Sequence, residues 1–172
     1  QDSGQDGMAY HVISAKDQSI GGLMPISAEM SAGGAQPCWM GYINVDDVDA
    51  AAKALKSAGG TVHRQAWDIP GAGRMAFVAD PQGAMFYIMK PTPPAGNPNA
   101  VSTAFSYDTP MVGHCAWNEL ATTDQDAAIA FYCNLFGWEC MKSGPDMGSY
   151  GMCYQGDIPV AGIGQMPDEI QF

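Results

Sequence analysis

Two stretches of the chain share one hydrophobic rhythm. From residue 40 (MGYINVDDVDAAAKAL) and again from residue 117 (WNELATTDQDAAIAFY), side chains first alternate with the two-residue period of a strand and then recur with the 3.6-residue period of a helix. The stretches superpose at an offset of 77, where Asp47, Asp49, Ala50 and Ala51 match Asp124, Asp126, Ala127 and Ala128. Asp47 and Asp124 stand where a helix N-cap accepts orphan backbone amides, and Asp49 and Asp126 fall in the first turn, where the helix dipole favours negative charge. Val48, Ala51, Ala52 and Leu55 form the apolar stripe of the first predicted helix, and Gly59-Gly60 stops it. Ala128, Phe131, Tyr132, Leu135 and Phe136 form the stripe of the second, which Gly137 ends.

Strand-like runs follow each helix. After the first come 61–67 and 74–78, then the turn signal Asp80-Pro81-Gln82-Gly83 and a last run at 84–89. After the second, 150–154 and 160–166 flank a Gly156-Asp157 hairpin turn. Each unit is therefore expected to be β-α-β-β-β. The span 91–110 (PTPPAGNPNAVSTAFSYDTP) is rich in Pro and small polar residues and reads as a linker. A second repeat has an offset of 140: Ser3, Gly4, Asp6, Tyr10, Asp17, Gly22 and Glu29 recur as Ser143, Gly144, Asp146, Tyr150, Asp157, Gly162 and Glu169. Residues 8–26 are thus expected to form a spare strand pair homologous to 148–166. The organisation predicted is a strand pair plus one complete unit over 1–92, a linker over 93–111, and a second unit over 112–172.

Composition narrows the function. The 172 residues are 47% hydrophobic, with 7 Lys plus Arg against 18 Asp plus Glu and a formal net charge of -11. That length can bury a real core, and no apolar run approaches the roughly 18 to 20 residues of a membrane span. Nucleic acid and anionic membranes both need clustered cations, so neither is expected as a partner. Five cysteines, with no CxxC pair and no zinc-finger spacing, read as free thiols of a cytoplasmic protein. The N-terminal QDSGQDGMAYHV has no basic or apolar region of a signal peptide. GxSxG, P-loop and GxGxxG motifs are lacking, and adjacent strand residues His114 and Cys115 point to opposite faces, so they form no catalytic dyad.

The segments YINVDDVDAAAKALKSAGGTV (42–62), GRMAFVADPQGAMFYI (73–88) and WNELATTDQDAAIAFYCNLFGWE (117–139) resemble the vicinal oxygen chelate superfamily, which comprises glyoxalase I, extradiol dioxygenases and the fosfomycin and bleomycin resistance proteins. A closer resemblance is to tandem glyoxalase-like proteins, of which this chain looks like the middle. The resemblance implies an α+β fold in which βαβββ units pair into a cupped mixed sheet with helices on the outside. It also implies a divalent metal (Ni, Zn, Mn or Fe) held in the cup by His and Glu. The matching first-strand positions here are Met40 and Trp117, and the matching position after Asp80-Pro81 is Tyr87, none of them a good ligand. His11, His63 and His114 stand elsewhere. No metal cofactor is therefore expected.

Strand alternation places Trp117 with Glu119 and Ala121, Met40 with Tyr42 and Asn44, and Tyr87 with Met85 and Met89. The expected cup wall is apolar with one carboxylate. Met40, Tyr42, Met85, Tyr87, Trp117 and Arg74 are the candidate ligand-binding residues, Arg74 either as an anion partner or as a turn-fixing residue. Glu119 is the candidate catalytic base, its proton affinity raised if the cup desolvates it; pairing with Arg74 is its structural alternative. The function expected is binding of a small, partly apolar ligand without the usual metal, in a homodimer unless 37–90 and 112–166 close the cup within one chain. Alternatives are a metal-dependent lyase or dioxygenase acting on vicinal oxygens, and an interaction module acting through dimer assembly.

Overall fold

The computed structural model describes residues 9–144 and 149–167. The repeat positions Ser3, Gly4, Asp6, Asp146 and Glu169 lie outside them. The chain divides into two compact units, Gln1–Met40 with Val101–Ala116, and Gly41–Ala100 with Trp117–Phe172.

In the first unit, strands β1 (His11–Ala15) and β2 (Gln18–Leu23) form an antiparallel hairpin. Helix α1 (Ala28–Ala32) follows, capped by the Ser27 hydroxyl, which accepts from the Met30 amide. Phe105 and Cys115 make an isolated parallel bridge, and the His114 ring bonds the Thr103 carbonyl at 2.6 Å.

The second unit contains both predicted βαβββ units. The first runs β3 (Tyr42–Asn44), α2 (Val48–Ser57), β4 (Thr61–Ile69), β5 (Gly73–Ala79) and β6 (Met85–Pro91). The second runs β7 (Glu119–Thr122), α3 (Gln125–Phe136), β8 (Glu139–Lys142), β9 (Gly151–Gln155) and β10 (Ile158–Gln165). Both caps are where the sequence places them: Asp47 accepts from Ala50 and Asp124 from Ala127, each at 3.0 Å. Gly137 ends α3 at φ 68°, a left-handed cap that glycine adopts without a Cβ penalty. The two sheets share one topology. Their strand orders are β3-β6-β5-β4 and β7-β10-β9-β8, with the first strand parallel to the last and the other pairs antiparallel.

These sheets are separate, and one core joins them. Val48, Ala52 and Leu55 of α2 bury against Ala76, Val78, Phe86 and Ile88, and the same cluster takes in Ala128, Phe131 and Tyr132 of α3 with Cys153 and Ile163. Phe86 meets Tyr132 and Phe136 at ring separations of 5.7 and 6.2 Å. The Tyr132 hydroxyl donates to Asp80 Oδ2 at 3.1 Å, while Asp80 Oδ1 accepts from the Gln82 and Ala84 amides of the predicted turn. Burial, then the neighbouring Asp80 charge, pushes the Tyr132 phenol well above its usual range. The βαβββ units are as expected, but within this chain they meet through their helices. Each sheet keeps its other face turned away from the shared core, and among the described residues the strands of one sheet are not hydrogen-bonded to those of the other.

The spare hairpin confirms the 140-residue repeat in register. Val12 pairs with Gly22 as Met152 pairs with Gly162, and Ser14 with Ser19 as Tyr154 with Pro159, with a register shift between these pairs in both hairpins. Lys16 (φ 53°) and Gly156 (φ 60°) occupy the same left-handed turn position.

The cysteine reading needs correction. Cys140 and Cys153 are direct cross-strand partners on β8 and β9 and form a disulfide, while Cys38, Cys115 and Cys133 carry none. Closing a loop of 13 residues in the unfolded chain stabilises the fold by about 3 kcal/mol in the loop-entropy account. Thiol titration of the unreduced, denatured protein is expected to find three reactive thiols, and reduction to lower the melting temperature. Five thiols without reductant would contradict the pairing.

Candidate functional site

The face of the first sheet turned away from α2 carries a row of aromatic rings. Tyr42, Tyr87 and Phe77 are successive partners across β3, β6 and β5, so their side chains share a face. Tyr42 stacks on Tyr87 at 4.7 Å with the planes 16° apart, Tyr87 meets Phe77 at 5.0 Å, and Phe77 meets the His63 ring at 5.3 Å. Trp67 turns its edge to Tyr87 at 6.4 Å and carries the Arg64 guanidinium 3.9 Å over its ring. Met75, Met85 and Met89 lie on the same face by alternation. Tyr42 and Met85 remain about half exposed, at 49% and 48%. Offset stacking of this kind adds to the plain burial of apolar area.

The second sheet presents a different surface. Glu119, Gly162, Met152 and Met141 are successive partners across β7, β10, β9 and β8. Tyr150, just before β9, lays its ring across Gly162; a Cβ there would stand 1.5 Å from the phenol oxygen. That close approach brings the hydroxyl to the Glu119 carboxylate, to which it donates at 2.9 Å, while it accepts from the Trp117 indole nitrogen at 2.9 Å. Tyr10 lies on Gly22 in the same way, with 1.9 Å left for a Cβ. Burial above all holds the Tyr150 phenol above its usual range; the Trp117 indole donor opposes this, and the hydrogen bond and charge of Glu119 add to it.

The residues singled out from the sequence are thus distributed over several surfaces. Tyr42, Met85 and Tyr87 come together on the aromatic face, and Trp117 and Glu119 come together on the other sheet. Glu119 is exposed rather than desolvated, and its partner is Tyr150, not Arg74. Arg74 projects from the helix-facing side of β5, where it makes a bidentate pair with Asp49 of α2 at 2.7 and 2.9 Å and bonds Asp68 at 2.9 Å. Those carboxylates hold it firmly protonated, and Arg74 in turn lowers the proton affinity of Asp49. A shallow depression of about 430 Å³ lies beside it, between 68–73 and 90–93, but the Arg74 charge facing it is already answered by two carboxylates. Met40 is half-buried and belongs to the first unit.

Sequence reasoning missed Phe77, Trp67, His63 and Tyr150. Two register shifts in β4 hide the side of the sheet on which Trp67 and His63 fall. The Tyr–Gly pair repeated at an offset of 140 was the available signal for Tyr150.

The residues at the superfamily's ligand positions do not fit a divalent ion. Met40, Trp117 and Tyr87 offer a thioether, an indole and a phenol that contacts other rings, and no group of three or more His, Cys, Asp or Glu gathers among the described residues. No described helix is long and apolar enough to cross a membrane.

Two sheets of identical strand order, each backed by one helix, define an α+β protein of repeated βαβββ units. Residues 5–88, just under half of the chain, match the family model of the Glyoxalase/Bleomycin resistance protein/Dioxygenase superfamily. CFP32 of Mycobacterium tuberculosis, named as a candidate glyoxylase, is 42% identical over 87 residues, which are 51% of this chain and 32% of that protein. The anthracycline biosynthesis protein DnrV of Streptomyces peucetius is 33% identical over 128 residues, 74% of this chain and 43% of that protein. The chain therefore spans from a third to less than half of these curated relatives. Among solved structures, a glyoxalase I mutant (V278E) from Zea mays aligns over 72% of this chain and 40% of its own at 24% identity, with a TM-score of 0.28.

A titration tests the Tyr150 geometry. In ultraviolet difference spectra the phenol step lost in Tyr150→Phe is expected above the ordinary tyrosine range of about pH 10, and in Glu119→Gln it should move down as the neighbouring negative charge is removed. An unmoved step would mean that the hydroxyl does not face the carboxylate in solution.

Proposed function

We propose that the chain binds a small, partly apolar ligand on the aromatic face of the first sheet, without the metal that the superfamily usually holds. The observation that supports this most is the continuous Tyr42–Tyr87–Phe77–His63 row with Trp67 at its side, left partly exposed on a rigid sheet. Stacked rings on a strand scaffold offer planar apolar area at low conformational cost, and the Trp67 edge with Arg64 behind it gives the surface a polar rim. DnrV carries a name that ties it to anthracycline biosynthesis, which agrees with a small molecule as ligand.

The open face is half of a cup. We also propose that a second copy of the chain supplies the other half, giving a homodimer with the ligand between copies. Both sheets turn their helix sides to the shared core, so neither can cover the other within one unit.

Naphthol, a planar and mostly apolar probe, is expected to bind saturably, with quenching of tryptophan fluorescence. Tyr87→Ala should weaken it about tenfold, in line with the loss of one aromatic pairing together with its buried area. Unchanged affinity in Tyr87→Ala would sink the assignment of the face. Light scattering that gives a strict monomer with and without bound probe would remove the second copy from the account.

A further inference from the structure

On the second sheet a carboxylate ends a hydrogen-bonded chain from two aromatic side chains, and no cation among the described residues pairs with it. The ion pairs among the described residues join Arg74 to Asp49 and Asp68, and Lys142 to Asp126. Glu119 has instead a chain of neutral donors behind it. The Trp117 N–H donates to the Tyr150 oxygen, and the Tyr150 O–H donates to Glu119 Oε2, each at 2.9 Å. Both bonds run toward the carboxylate, whose Oε2 accepts from the Tyr150 hydroxyl.

The arrangement comes from the strands themselves. The Tyr150 ring can lie across β10 only because position 162 has no side chain. The recurrence of the same tyrosine-on-glycine contact at Tyr10 and Gly22 shows that it is a property of this hairpin type rather than an accident of one loop. Along the same face, Met152 and Met141 continue the line of cross-strand partners from Glu119 and Gly162, and Met141 is 63% exposed. The surface therefore offers an exposed carboxylate, the Tyr150 and Trp117 side chains bonded in line behind it and a polarisable thioether floor. An anion is repelled both by Glu119 and by the net charge of -11. A neutral polar ligand would leave the carboxylate's charge unanswered. A compact organic cation satisfies every part of it: charge at Glu119, cation–π contact with Trp117 and Tyr150, and apolar substituents on the methionines.

We propose that the Trp117–Tyr150–Glu119 face is a binding site for an organic ammonium ion. It lies on a different sheet from the aromatic row, so it goes beyond the function proposed above and stands or falls separately.

Choline and its uncharged isostere, in which a quaternary carbon replaces the nitrogen, discriminate charge from shape. Titrated into the intact protein by calorimetry or tryptophan fluorescence, choline is expected to bind at least about tenfold more tightly than the isostere, as a partly desolvated cation–π and charge contact requires. Glu119→Gln should remove that preference, and added salt should weaken it. Gly162→Ala, which displaces the Tyr150 ring without touching Glu119, should weaken choline several-fold, and Tyr87→Ala on the other sheet should leave it unchanged. Equal binding of choline and isostere, no saturable choline binding, or retention of the preference in Glu119→Gln would overturn the site. Loss of choline binding in Tyr87→Ala would move the cation to the aromatic row and overturn it equally.

Discussion

The hydrogen bond from the Tyr132 hydroxyl to the buried Asp80 carboxylate is the constraint on which the second unit turns. It joins the third-turn tyrosine of α3 to the turn that closes β5 onto β6, two elements 52 residues apart in sequence. Asp80 is 2% exposed, and a buried carboxylate is tolerated only with its lone pairs occupied. Two are filled locally by the Gln82 and Ala84 amides, and Tyr132 supplies the long-range partner. Around this bond Phe86, Phe136 and Trp138 pack against the Tyr132 ring, so the polar contact sits inside the apolar one.

Functional geometry follows from that joint. With α2 and α3 committed to one core, each sheet has only its far face left for a ligand. The two faces are chemically unlike although their strand order is the same. At equivalent places in the first strand one sheet has Tyr42 and the other Glu119, and the strands beside them carry Tyr87 and Phe77 in one case, Gly162 and Met152 in the other. One scaffold thus presents a stacking surface on one side and, on the other, a carboxylate that accepts from a tyrosine hydroxyl.

Much of this was legible in the residues. Asp47 and Asp124 fixed both helix starts because a short acceptor before an apolar stripe has one good use, and Gly137 marked an end that needed a left-handed residue. The spare hairpin was legible because its tyrosine, glycine and turn recur at one offset, down to the irregular register. What alternation could not say was which face of each strand meets the helix and which partner each side chain finds. Arg74 illustrates this: its position beside Gly73 was plain, but the pairing with Asp49 depends on where α2 crosses the sheet. The short strand β8 and the disulfide were not foreseen, since Cys140 and Cys153 become neighbours only when β8 pairs with β9. The two-unit joint was equally hidden, because nothing local to Tyr132 or Asp80 names the other.

A double-mutant cycle on that joint tests the account most directly. Stabilities of Tyr132→Phe, Asp80→Ala and the double variant, measured by denaturant unfolding, give the coupling between the two side chains apart from the turn amides that Asp80 also holds. The account predicts a coupling of at least about 1 kcal/mol, as a buried, charge-assisted hydrogen bond should give. Additive losses, with coupling below about 0.5 kcal/mol, would contradict it. The two βαβββ units would then not be held by this contact, and the back-to-back arrangement of the two faces would lose its principal support.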